Sequence, residues 1–96
     1  MKKSENTGNS DANRRIWELR REIDQIDHNI LHYLQSRKII SHKIMTLKKE
    51  AGLPVHDPER EKELIFNLIE TYSDRVDPEL IKKLYSVILE DSKSNG

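Results

Sequence analysis

The stretch from Asn13 to Ala51 constrains the fold more than any other, because apolar side chains recur through it in alternating steps of three and four. Ile16, Leu19, Ile23, Ile26, Ile30, Tyr33, Ile40, Ile44, Leu47 and Ala51 fall on one face of a helix of roughly forty residues. At about 1.5 Å per residue such a helix spans about 60 Å, whereas a compact chain of this size has a radius of gyration of only about 12–13 Å. The chain cannot wrap a helix of that length by itself. A dry stripe along nearly all of it calls for a second copy of the protein, so an intertwined oligomer is expected.

Two cations stand in that stripe. Stepping about 100° per residue, Arg37 aligns with Leu19, Ile30 and Ile44, and Lys48 lies three turns further along, about 20° away. Burying an unpaired charge costs several kcal/mol even after relaxation. Either a small anion sits between the two, or a Glu or Asp of another helix neutralises each. Their separation along the axis, about 16 Å, is one that two long side chains and a small dianion can close.

Composition narrows the setting. The chain has 96 residues, enough for one domain, with 34% hydrophobic and 35% charged residues. That is thin for a lone small domain and sufficient if two chains share one core. Lys plus Arg and Asp plus Glu both number 17, so formal net charge is zero, which argues against a general nucleic-acid binder. The absence of cysteine excludes disulfides, thiolate catalysis and zinc-finger chemistry, and fits a reducing compartment. No apolar run is long enough to cross a bilayer, and Met1 to Asp11 has no apolar signal-peptide core. A soluble cytoplasmic protein without a membrane partner is expected.

In chain order, residues 1–11 read as a disordered polar tail, residues 12–93 as one helical domain and residues 94–96 as a frayed C-terminus. Asp11 or Asn13 is suited to cap the long helix, and Trp17, beside the stripe, to cover a neighbouring helix end. Gly52 can adopt the left-handed conformation that ends the helix, and Pro54 forbids its continuation. Asp57-Pro58-Glu59 then starts a second helix, which Leu64, Ile65, Leu68, Ile69 and Tyr72 carry to about Tyr72. After a turn, Asp77-Pro78-Glu79 repeats the start signal, and Leu80, Ile81, Leu84, Tyr85, Val87 and Ile88 carry a third helix to about Ser92. The expected fold class is all-α, three helices per chain with a very long first helix.

Two further clusters bear on chemistry. In Asp57-Pro58-Glu59-Arg60-Glu61, Glu61 stands over the inner stripe of the second helix, ahead of Leu64 and Leu68, with Arg60 beside it. Acidic residues in a first turn also serve the helix dipole without any ligand. His28 and His32, four residues apart, have the spacing of a metal pair, but they lie on the outer, polar side and no carboxylate completes the set.

Three stretches, LRREIDQIDHNILHYLQSRKIISHKI, LKKEAGLPVHDPERE and LYSVILEDS, together resemble the all-helical class of chorismate mutase, over about Leu19 to Ser92. The resemblance implies an intertwined homodimer of three-helix chains that rearranges chorismate, a dianion, to prephenate in aromatic amino acid biosynthesis, with no cofactor and no metal. It implies that each site combines Arg37, Lys48, Asp57, Arg60, Glu61 and Ser92 of one chain with Arg20 of its partner. Helix geometry is consistent with the borrowing: Arg20 lies about 25 Å along the axis from Arg37 and about 100° off its face.

By the same resemblance, Arg20 and Arg37 clamp the two carboxylates, Lys48 donates to the ether oxygen and a carboxylate, and Glu61 accepts from the ring hydroxyl. Asp57 supports Glu61 through the start of its helix, Arg60 holds the local charges, and Ser92 contacts a carboxylate. One position departs from the pattern: four residues beyond Ser92 the family carries a Gln that donates to the ether oxygen, and here Gly96 stands there. Asn95 or water substitutes for it, activity is low, or the natural chain continues into another enzyme of the pathway. Two rival functions are an isochorismate pyruvate-lyase on the same fold, against which Arg60-Glu61 speaks, and a non-catalytic helical dimerisation module.

Overall fold

The computed structural model describes residues 3–93, with side chains from Asn9 onward. Three helices occupy nearly all of it: α1 (Lys3–Glu50), α2 (Pro58–Tyr72) and α3 (Pro78–Lys93). The chain divides into two units, Met1–Tyr33 and Leu34–Gly96. The first is the N-terminal part of α1. The second holds the rest of α1 with α2 and α3.

α1 begins at Lys3, ten residues before the start expected near Asn13. Nothing in between forbids it: the segment has no proline, and the one glycine, Gly8, costs only about 1 kcal/mol in a helix. Asp11, expected as a cap, lies inside the helix and pairs with Arg14 at 3.3 Å. Residues 94–96, where fraying is expected, lie outside the described residues.

The C-terminal end of α1 follows its chemistry closely. Gly52 has φ 71°, its amide donates to Lys49 O at 3.2 Å, and the Leu53 amide donates to Lys48 O at 2.8 Å. This paired closure consumes carbonyls that the last turn leaves without helical partners. α2 opens on Asp57, whose Oδ1 accepts from the Arg60 amide at 3.1 Å, with Pro58 in the first turn. α3 repeats the device, Asp77 Oδ1 accepting from the Glu79 amide at 3.0 Å.

Within the second unit α2 packs against α3. The C-terminal part of α1 reaches α3 through long polar side chains: Arg37 Nη1 donates to Ser92 Oγ at 2.7 Å, and Lys38 Nζ pairs with Asp91 at 3.4 Å. The core of a single chain is small. Among the described residues only Ile81 and Ser92 are buried. The α1 stripe stays largely open to solvent, with Ile23, Ile26 and Ile30 each more than half exposed.

Candidate active site

The polar wall of the second unit is built where the three helices come together. Arg37 and Lys48 project from α1, Asp57 and Glu61 from the connector and first turn of α2, and Ser92 from the last turn of α3. With Arg60 they border one cavity of about 460 Å³, whose apolar lining includes Ile40, Ile44, Val55, Leu64 and Leu89. Six of the seven site residues named from the sequence are thus brought together. The seventh, Arg20, is exposed in the first unit and does not border the cavity.

Among the described residues, neither member of the cation pair meets the carboxylate that a purely structural role calls for. Arg37, half-buried, is held by the neutral hydroxyl of Ser92, which in turn donates its own proton to Ile88 O at 2.9 Å. Ser92 therefore spends both sides of its hydroxyl inside the protein, fixing the guanidinium to the end of α3. Among the described residues, Lys48 Nζ and the Arg60 guanidinium have no ion-pair partner.

On the acidic side, Asp57 serves as the α2 cap while bordering the cavity, so the helix-start and site readings of this cluster hold together. Glu61 is half-buried and its carboxylate is paired at 3.1 Å with Lys93. Lys93 is not among the residues that the sequence singles out, since the third helix is expected to end at about Ser92. α3 continues one residue further, and that residue closes the cavity wall. Its position next to Ser92 and four residues after Leu89 is the available signal. His56 also borders the cavity, beside Asp57.

Charge matters as much as shape. Arg37, Lys48, Arg60 and Lys93 face only two carboxylates, Asp57 and Glu61, which leaves the lining with an excess of two positive charges. A cleft of one sign with partly apolar walls concentrates ligands of the other sign. His28 and His32 lie elsewhere, in the first unit, where the His32 ring packs edge-on against Tyr33 with centroids 5.6 Å apart.

Comparison with known proteins places this geometry in context. The family model described as chorismate mutase type II matches residues 19–95. The bifunctional chorismate mutase/prephenate dehydratase of Aquifex aeolicus is 37% identical over 78 residues, which cover 77% of this chain and 22% of that protein. The chorismate mutase of Methanocaldococcus jannaschii is 28% identical over 81 residues, covering 83% of this chain and 82% of that protein. The chain thus spans about a fifth of the bifunctional relative and most of the monofunctional one. Among solved structures, chorismate mutase (form I) from Thermus thermophilus superposes with a TM-score of 0.77 at 36% identity, covering 81% of this chain and 98% of that one.

Proposed function

The chain belongs to the chorismate mutase type II family, and from that premise we propose that it rearranges chorismate to prephenate in the cavity bordered by Arg37, Lys48 and Glu61. The observation that carries this reading is the excess of two positive charges around a cavity of about 460 Å³, which suits a small dianion. The reaction is unimolecular. An ether bond breaks as a carbon–carbon bond forms within the same molecule, so catalysis consists of holding the compact chair-like conformer and stabilising the charge that separates.

Each side chain has a part in that. Arg37, fixed by Ser92, offers its planar fork to one carboxylate, where a guanidinium outperforms an ammonium. Lys48, without an internal partner among the described residues, donates to the ether oxygen and a carboxylate. Glu61 accepts from the ring hydroxyl, Asp57 fixes the start of the helix that carries it, and Arg60 balances the local charge. Ser92 serves the carboxylate through Arg37 while its own hydroxyl donates to Ile88 O.

The remaining carboxylate requires a further cation, and Arg20 of a second copy supplies it. A homodimer is supported by the exposed stripe: Ile16, Leu19, Ile23, Ile26, Ile30 and Tyr33 lie about half or more uncovered along α1, and each aliphatic one forfeits a corresponding part of the roughly 1.5–3 kcal/mol that full burial gives. Two chains that pair along this stripe gain the core that one lacks.

Adding chorismate and following its diene absorbance together with its products tests the function. Loss of the diene with formation of prephenate is expected. An aromatic hydroxybenzoate would establish a lyase instead, and no change would leave a helical dimerisation module. A bicyclic mimic of the transition state should also raise the melting temperature, because it binds only the folded protein.

A further inference from the structure

The last three described residues of α3 each tie it to another element. Asp91 pairs with Lys38 of α1 at 3.4 Å, Ser92 accepts from Arg37 of α1 at 2.7 Å, and Lys93 pairs with Glu61 of α2 at 3.1 Å. The Lys93 ammonium lies close to both oxygens of the Glu61 carboxylate, at 3.1 and 3.4 Å. The same pair also borders a second cavity of about 320 Å³, together with Pro58, Lys62, Ile65, Ser86 and Glu90. Glu61, Leu89 and Lys93 border both cavities and form the partition between them, with the ion pair as its polar part. The Glu61 carboxylate therefore has two spaces available to it.

We propose that Lys93 is a positioning residue that holds the Glu61 carboxylate at this partition, presented to the substrate-binding cavity, rather than a cation that binds the substrate itself. The inference rests on the mutase reading above. Glu61 is only partly exposed, and an ionised partner at this distance fixes the direction of its lone pairs more firmly than a neutral one. One carboxylate can accept from the ammonium and from a substrate hydroxyl at the same time, having about four lone-pair sites. Lys93 thus stays in place through turnover. Removing it lets Glu61 swing toward the second cavity, and the loss falls on the transition state rather than on binding.

Steady-state kinetics with chorismate on wild type, Lys93→Met and Lys93→Arg test this, with Lys93→Gln as a second neutral variant and thermal melting as the check on folding. The Met variant keeps most of the apolar stem, and the native side chain is 43% exposed, so its end is not enclosed by the protein. The expected result is a fall in kcat of roughly three- to tenfold with KM little changed in the neutral variants, and recovery in Lys93→Arg. In a Glu61→Gln background the same Lys93→Met change should have no further effect. A rise in KM at unchanged kcat would make Lys93 a substrate cation, and an unchanged or increased kcat would make the pair incidental or inhibitory. Each of these overturns the proposal while leaving the mutase reading intact, whereas a wild-type protein inert toward chorismate overturns both.

Discussion

Arg37 shows how a charge can stand in an apolar stripe without a counter-ion among the described residues. Its partner is a hydroxyl, so the guanidinium is directed by hydrogen bonding but not neutralised, and its charge remains available to an incoming anion. The periodicity of α1 makes Arg37 and Lys48 legible in the sequence, because two cations on a dry face are anomalous. Spacing alone leaves open whether a carboxylate or a ligand answers them. Lys93 is not legible, since a lysine near a chain end reads as ordinary solvent-facing charge until α2 and α3 are packed and Glu61 is seen beside it. Replacing Arg37 or Lys48 with Ala should each lower turnover by roughly a hundredfold or more, as removal of a preorganised donor does elsewhere. His28→Ala should leave turnover unchanged. Parallel initial-rate measurements on the three variants check this, and a damaging histidine change would place the site on the wrong face of α1.

At the scale of the elements, proline and glycine set the boundaries that matter most. The end of α1 at Gly52 and the starts of α2 and α3 at Asp57 and Asp77 follow from local chemistry, so they can be read without knowing the fold. The start of α1 cannot, because a polar segment with neither proline nor apolar pattern leaves helix and coil close in energy. Gly52→Ala should destabilise the protein by about 1–2 kcal/mol: a Cβ there meets nothing within 4 Å, so the cost is that of the left-handed backbone alone. Asp77→Ala should cost about 1 kcal/mol through loss of the bond to the Glu79 amide, without touching the cavity. Chemical denaturation of both variants measures these costs. A Gly52→Ala protein as stable as wild type would mean that the α1 exit tolerates another conformation.

The whole molecule is governed by what one chain leaves uncovered. Trp17 is exposed with the Arg21 guanidinium 5.0 Å from its ring centroid, and the isoleucines of the stripe around it are largely exposed. Ile23→Asp and Ile26→Asp, neither of which borders the cavity, should abolish assembly and with it most of the cooperative thermal transition. Sedimentation at micromolar concentration should show a dimer or a higher even-numbered oligomer for wild type, and a folded monomer would remove the basis for shared sites. The central claim, that each mutase site draws on two chains, is tested most directly by mixing two inactive variants, Arg20→Ala and Arg37→Ala, and letting their subunits exchange. In a heterodimer one site then carries both lesions and the other carries none. Random exchange makes half the dimers heterodimers, so about a quarter of wild-type activity should return. If both arginines served the same chain, every site would keep one lesion, and a mixture as inactive as its parents would contradict the account.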